Sequence, residues 1–139
     1  MKKIIYAAAF LLLASVLPLL ASAPVTDIEL LRQEARATLA KGNTQWLEFD
    51  TNGDGKINHF MLIGRNHDKI YEEMDTNHNG RIDTLSYYSR GVLVREEIDT
   101  NHDGKVDLWV YISEGIYIER YARDTNYDGI IDVVQDFGS

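Results

Sequence analysis

The sequence contains no cysteine, which excludes several common ways of stabilising a small domain. Disulfide bonds, cysteine-ligated zinc sites and lipid attachment to cysteine all require a thiol. The 139 residues suffice for one domain, but a domain of this size buries only about two-thirds of its unfolded surface. We therefore expect another kind of contact to take the place of disulfides.

Basic residues are scarce as well. Lys and Arg number 14 against 22 Asp and Glu, and two of the lysines lie in the N-terminal segment. Residues 24–139 therefore carry 12 basic and 22 acidic groups, a formal charge of −10. Such a surface repels nucleic acid and anionic lipid. It suits cations or serves solubility, and composition alone does not separate these two roles.

A long apolar run occurs only at the N-terminus. The run Ile4–Leu20 follows Lys2 and Lys3 and precedes an Ala-Ser-Ala triplet. This order predicts a signal peptide over residues 1–23 and a secreted or periplasmic protein, with no stable membrane insertion after the signal is removed. Pro24 is a poor residue after a cleavage site, so the exact cut stays open. A single-span anchor is the alternative, because a spanning helix needs roughly 17 residues.

Residues 24–44 have the pattern of one amphipathic helix. Thr26 and Glu29 are spaced as a capping box, and Gly42 is typical of a helix end. The sequence predicts a helix over 27–41 that covers apolar surface of the following chain, with partner binding as the alternative. Its apolar face consists of Ile28, Leu31, Ala35 and Leu39.

Residues 45–139 form a repeat. The copies read DTNGDGKIN, DTNHNGRID, DTNHDGKVD and DTNYDGIID, at spacings of 25, 24 and 25 residues. Asp, Thr and Asn fill places one to three of every copy, Gly fills place six, and Ile or Val fills place eight. We call these copies loops one to four. A period in this range indicates an architecture built from one recurring unit.

Two short β-rich stretches with a turn signal between them separate each loop from the next. With a leading and a trailing strand, they predict a mainly β fold of eight strands in an antiparallel meander. All four loops would then lie on one edge of the sheet, roughly 10 Å apart, because neighbouring strands are about 4.8 Å apart. The predicted strands span 45–49, 57–63, 69–74, 82–88, 92–98, 106–112, 116–121 and 131–137.

The loops have the donor pattern of a calcium site. Calcium takes about six to eight oxygen ligands, and a loop supplies them from alternate places when a glycine permits the turn. Places one, three, five and nine would offer side-chain oxygens, and place seven its backbone carbonyl. The predicted ligands are Asp50, Asn52, Asp54, Lys56 and Asn58 in loop one; Asp75, Asn77, Asn79, Arg81 and Asp83 in loop two; Asp99, Asn101, Asp103, Lys105 and Asp107 in loop three; and Asp124, Asn126, Asp128, Ile130 and Asp132 in loop four.

These loops resemble EF-hand loops through place nine. The bidentate Glu of that family at place twelve is replaced here by Met61, Ser86, Val110 and Gln135. Hairpins follow the loops, so the resemblance does not imply EF-hand opening. The loops are also similar to the calcium loops of integrin α-chain propeller blades. Residues 45–139 resemble exported bacterial repeat proteins with D-T-N-x-D-G loops, often described as EF-hand-like, which implies Ca²⁺ as the bound ion.

The number of carboxylates predicts how the four sites rank. Loops three and four each hold three, and loops one and two hold two, so we expect tighter binding in the later pair. Glu48, Glu73 and Glu97 stand two residues before a loop and are candidate extra ligands or acceptors. Without the twelfth ligand, dissociation constants of about 10⁻⁴ to 10⁻³ M are expected.

Catalytic motifs are absent from the sequence. His78 and His102 occupy place four, which is not a ligand place, and His59 and His67 lack the spacing of a zinc site. Serine-nucleophile motifs and glycine-rich phosphate loops are missing too. We predict that the protein is not an enzyme.

Alternate places of successive strands carry an apolar stripe, for which we expect core packing. The opposite face of the third repeat is also apolar, so we expect the sheet to curl on itself. The alternative is an exposed aromatic patch that binds carbohydrate or protein. The stripe comprises Phe60, Leu62, Leu85, Tyr87, Trp109 and Tyr111, and the opposite face Leu108, Val110 and Ile112.

Together these patterns predict an exported calcium-binding structural or interaction protein, in which the ions stabilise a β-repeat domain. The alternative function is an adhesion module that binds a protein or glycan partner, with calcium only rigidifying it.

Overall fold

The computed structural model describes residues 26–138, and the predicted signal peptide lies outside them. No helix in the described part is long and apolar enough to cross a membrane. One helix is followed by eight strands. They are α1 (Ile28–Leu39), β1 (Gln45–Phe49), β2 (His59–Ile63), β3 (Lys69–Met74), β4 (Thr84–Ser89), β5 (Val92–Ile98), β6 (Leu108–Ser113), β7 (Tyr117–Arg123) and β8 (Val133–Asp136).

The eight strands form the antiparallel meander that the repeat predicted, each paired with the next along the chain. Strands β2, β4, β6 and β8 begin two residues later than predicted. Place nine of each loop causes this difference, because its amide closes the loop by donating to the carbonyl of the residue before the loop, as in Asp107 N to Ile98 O at 3.0 Å. Within the described chain, β1 and β8 are the two edges of an open sheet. The curled sheet that we expected therefore does not form by pairing of its ends.

The helix begins at Ile28 and ends at Leu39, so it starts one residue later and ends two residues earlier than predicted. Asp27, not Thr26, is the N-cap, and its Oδ1 accepts the amides of Glu29 and Leu30, both at 3.0 Å. The predicted capping box is therefore wrong. Thr26 instead offers its carbonyl to the amide of Val106 at 2.7 Å, which ties the start of the helix to loop three.

Helix α1 packs against one face of the sheet, as predicted. Ile28 and Ala35 are buried there, and Leu31 and Leu39 pack against the same cluster. The amide of Ile28 also donates to the carbonyl of Gly104 at 3.1 Å. The helix is thus fixed at its first turn by loop three and along its length by apolar contact.

The apolar stripe, except for Tyr111, forms the core under this helix, which confirms the packing prediction for those residues. Leu62, Leu85 and Trp109 are buried in it, and Phe60 and Tyr87 pack against it. Beyond the helix the same face opens to solvent, and Tyr111 is 38% exposed.

The opposite face has no second layer in the described chain. Val110 is buried there, and Leu108 and Ile112 are half-buried. Neighbouring side chains on the twisted sheet shield one another without a covering element.

A buried ionic contact joins α1 to β3. The carboxylate of Glu73 has no solvent exposure and accepts hydrogen bonds from Arg36 Nε at 2.7 Å and Arg32 Nη2 at 2.8 Å. Burial raises the pKa of Glu73, but the hydrogen bonds from Arg36 and Arg32 outweigh it and leave the pKa below its usual 4.5. The guanidinium of Arg36 also lies over the Trp46 ring, 4.6 Å from the centroid.

Replacing Glu73 with Gln should lower the free energy of unfolding at pH 7 by about 2 to 3 kcal/mol, because Arg32 and Arg36 would both lose the anion that accepts their charge-assisted hydrogen bonds. A carboxyl whose pKa is lowered by folding stabilises the protein above its unfolded pKa and loses that effect as the pH falls. The difference between wild type and Glu73→Gln should therefore shrink below pH 4.5.

Denaturant unfolding across pH measures this effect. The matched control is Glu48→Gln, because Glu48 precedes loop one by the same spacing but is exposed. Its stability should change by less than about 0.5 kcal/mol. Equal losses in the two variants would contradict the ionic contact.

Candidate metal-binding loops

The four loops lie side by side along one edge of the sheet, as the meander requires. Backbone hydrogen bonds link them in series, because the first-place amide of each later loop donates to the ninth-place carbonyl of the loop before it. These bonds are Asp75 N to Asn58 O at 2.9 Å, Asp99 N to Asp83 O at 2.8 Å and Asp124 N to Asp107 O at 2.9 Å. The row is therefore one continuous backbone structure.

The first aspartate organises each loop. Its side chain accepts the backbone amides of places five and six, so the chain turns around the carboxylate. Carboxylates stabilised by several amides in this way are strong local anchors. The place-six bonds are Gly55 N to Asp50 at 2.8 Å, and Gly80 to Asp75, Gly104 to Asp99 and Gly129 to Asp124, each at 2.7 Å.

Places three and five are brought onto the same side by further bonds. In loop three, Asn101 Oδ1 accepts the amide of Asp103 at 3.2 Å, and Asp103 Oδ1 accepts the amide of Lys105 at 2.9 Å. The side-chain nitrogen Nδ2 of Asn101 also donates to Asp103 Oδ2 at 3.1 Å. The structure thus brings places one, three and five together around each turn, as the predicted ligand set requires.

The turn depends on left-handed backbone at places four and six. Place six is always glycine, with φ between +86° and +93°. A Cβ at Gly104 would meet nothing within 4 Å, so the requirement is conformational and not steric. Place four is Gly53 in loop one, but His78, His102 and Tyr127 in the later loops, with φ of 59°, 61° and 62°.

The ninth-place side chain accepts hydrogen bonds from the threonine at place two of the same loop. We call this contact the threonine clasp. In loop three, Thr100 donates its amide to Asp107 Oδ2 and its hydroxyl to Asp107 Oδ1, both at 2.7 Å. The same pair of donors joins Thr51 to Asn58, Thr76 to Asp83 and Thr125 to Asp132. No role was predicted for this threonine, although it stands at place two of every copy.

Charge on this edge is strongly unbalanced. Places one, five and nine carry ten aspartates, and only place seven adds basic residues, namely Lys56, Arg81 and Lys105. Among the described residues, no Lys or Arg forms an ion pair with a loop aspartate. Several of these carboxylates are buried: Asp75, Asp83, Asp99, Asp107 and Asp124.

Backbone amides therefore provide the main compensation for these charges. The amide of Gly55 holds the pKa of Asp50 below its usual value despite desolvation, and the amides of Gly53, Asp54 and Asn52 contribute less. Amides stabilise the anion but leave its net charge in place, so an added cation would still be attracted.

The donor set fits a hard cation. Each loop offers carboxylate and amide oxygens at places one, three, five and nine, together with a backbone carbonyl at place seven, and no sulfur ligand. No group of three or more His, Asp and Glu side chains within residues 26–138 is placed to hold a metal ion. The aspartates at places one, five and nine of loops three and four therefore do not form the three-carboxylate cluster on which the predicted ranking of the loops rested. Binding here would rely on neutral Asn and carbonyl oxygens beside one or two carboxylates, which calcium accepts.

The glutamates before the loops serve the sheet instead of the sites. Glu73 binds α1, and Glu97 accepts the Tyr87 hydroxyl at 2.9 Å and lies 3.3 Å from Arg95 Nη2. Glu48 is exposed on β1. The proposed extra-ligand role is therefore wrong for Glu73 and Glu97, because both carboxylates are already engaged on the helix side of the sheet.

The histidines lie apart from one another. His59 Nε2 lies 3.1 Å from Glu72 on the face of the sheet away from α1, and His67 lies in the first hairpin turn. His78 and His102 are exposed at place four, as predicted, but each contacts the preceding loop. His78 Nδ1 lies 2.9 Å from Asn58 Nδ2, and His102 Nδ1 lies 3.6 Å from Asp83 Oδ2.

Comparison with known proteins bears on the loops. The family model described as EF hand matches residues 47–59 and 96–108, which contain loops one and three. This match supports a calcium-loop repeat and covers less than half of the chain. No curated protein sequence matches the chain.

Two solved structures of TarM are weakly similar. One is a crystal structure of an S. aureus TarM mutant in complex with fondaparinux, α-GlcNAc-glycerol and UDP, at a TM-score of 0.39 and 11% identity over 81% of this chain and 23% of that chain. The other is a crystal structure of TarM, at 0.38 and 12% over 81% and 22%. The chain spans less than a quarter of TarM, and a likeness this weak carries no functional argument.

The threonine clasp is testable at Thr100. Thr100→Val keeps the shape and the amide donor but removes the hydroxyl from a buried carboxylate, which should cost about 1.5 to 3 kcal/mol of unfolding free energy. Thr100→Ser keeps the hydroxyl and should cost less than about 1 kcal/mol. Chemical denaturation measures both, and equal losses in the two variants would show that the hydroxyl does not hold Asp107.

Proposed function

We propose that this protein is an exported calcium-binding structural protein, in which calcium ions in the four loops stabilise the β-repeat sheet. The observation that carries the proposal is the repeated geometry of places one, three and five. All four loops fold around the first aspartate through the same place-six amide, at 2.7 to 2.8 Å. The family match at loops one and three supports calcium as the ion.

Electrostatics support a stabilising role. The loops form a row, and consecutive first-place aspartates belong to neighbouring loops roughly 10 Å apart, close to the Debye length at physiological salt. Like charges at that spacing repel, most strongly where they are buried. When bound, calcium supplies positive charge at each loop, so it would favour the folded row over the unfolded chain.

The position of the loops in the fold makes their order important for the stability of the domain. Each loop connects two hydrogen-bonded strands, and loop three also fixes the start of α1 through Gly104 and Val106. An ion that orders the loop would thus stabilise both layers of the domain. This role would replace the disulfides that the chain lacks, and it requires no catalytic activity.

A second candidate is an interaction module, and one surface favours it. Two large apolar residues of the β6–β7 hairpin are highly exposed: Ile116 is 76% exposed and Tyr117 is 63% exposed. Trp109, in contrast, is buried, so the helix-covered part of the stripe is unsuited to binding. In this alternative the hairpin would contact a protein or glycan, and calcium would only rigidify the opposite edge.

Calcium should raise the melting temperature. At about tenfold excess of ion over the dissociation constant, each site adds roughly 1.4 kcal/mol. Several sites together should shift the midpoint by about 10 °C or more in a domain of this size. Scanning calorimetry in about 10 mM calcium and in chelator, at matched ionic strength with sodium, measures the shift, with affinities near 10⁻³ M assumed.

The matched variants are Asp103→Asn, at place five of loop three, and Asp68→Asn, in the first hairpin turn. Asp103→Asn should reduce the calcium-dependent shift, and Asp68→Asn should leave it unchanged. A melting temperature that chelation does not alter would refute the stabilising role and leave the interaction module as the better account.

A further inference from the structure

We infer that the residue at place four positions the ninth-place side chain of the preceding loop, so that each later loop tunes the metal site before it. This inference rests on the proposed calcium binding and names residues that act between sites. It concerns His78 toward loop one, and His102 toward loop two. Neither residue belongs to the ligand set of its own loop.

Direct contacts carry the inference. His78 Nδ1 lies 2.9 Å from Asn58 Nδ2, and Asn58 is the ninth residue of loop one. One repeat later, His102 Nδ1 lies 3.6 Å from Oδ2 of Asp83, the ninth residue of loop two. Tyr127 of loop four lines one small cavity together with Asp107 of loop three. The contact thus occurs at the first two junctions of the row, and at the third the corresponding side chains line a common cavity.

The ninth residue is held from two sides at these junctions. Thr51 donates its amide and hydroxyl to Asn58 Oδ1 at 2.9 and 3.0 Å, within loop one. His78 contacts the amide nitrogen of the same side chain from loop two. Asn58 is 6% exposed, and its Nδ2 also donates to Asn52 Oδ1 of the same loop, at a longer 3.4 Å. The direction of its oxygen within loop one therefore depends on both loops.

The backbone supports this interpretation. His78, His102 and Tyr127 all have positive φ, a conformation that is costly for residues other than glycine. Loop one has no loop before it, and there place four is Gly53, which adopts positive φ freely. Side chains thus occupy this unfavourable place only where a preceding loop is present to be contacted.

A direct test uses His78→Gly in the full-length chain, because glycine already fills this place in loop one. Calcium is titrated at one fixed pH while the amide resonances of Gly55, Gly80, Gly104 and Gly129 are followed, one for each loop. These amides bond to the first aspartates and report each site separately. The calcium midpoint of loop one should weaken by roughly tenfold, the lower end of the loss when a partner of a metal ligand is removed.

His102→Gly should move the same effect one repeat along, weakening loop two and not loop one. The matched control is His67→Gly, which makes the same replacement at a positive φ of 63° in the first hairpin turn, on the other edge of the sheet. That control should leave all four midpoints within about twofold of wild type.

Two results would overturn the inference alone. One is a loop-one midpoint that stays within twofold of wild type in His78→Gly while the wild-type loops respond to calcium. The other is an equal shift in the His67→Gly control. If calcium moves none of the four wild-type glycine amides, calcium binding itself is refuted, and the inference falls with it.

Discussion

The fold depends on aspartates that must accept their own backbone. In every loop the first carboxylate takes the amides of places five and six, and this contact turns the chain so that one strand of the sheet can follow another. The arrangement concentrates negative charge along one edge, because four such loops stand in a row. Amides stabilise each carboxylate locally, but the neighbouring loops still repel one another. A bound cation would reduce this repulsion.

The other layer of the domain handles charge differently. Glu73 is fully buried, but two arginines of α1 satisfy it, so this contact needs no ion. Loop three connects the two regions, because its backbone bonds the residues that begin the helix. Loss of order at the acidic edge would therefore reach the aromatic core through α1. The ionic contact and the loop row stabilise one domain through complementary chemistry.

Sequence periodicity was sufficient to predict the meander, the edge that carries the loops and the covering helix. Those features follow from local turn chemistry and from alternation along strands. The strand starts were missed because place nine bonds within its own loop. The N-cap and the role of Glu73 were not predictable, because they depend on partners distant in sequence. Asp27 caps the helix where Thr26 is drawn to loop three, and Glu73 faces α1 from a strand.

The geometry of the loops was predictable only in part. Places one, three and five converge as the spacing requires. The ninth place bonds Thr100 and its counterparts, a contact that was not predicted although threonine recurs at place two of every copy. The role of place four became visible only when neighbouring loops were seen in contact. Contacts between copies cannot be inferred from the residues of a single copy.

Diffraction from crystals grown with calcium tests the central claim most directly. We expect four ions in a row at the loop edge, roughly 10 Å apart, each bonded to oxygens of places one, three, five and nine and to the place-seven carbonyl. Loops with the same backbone conformation but only water among those oxygens would contradict it.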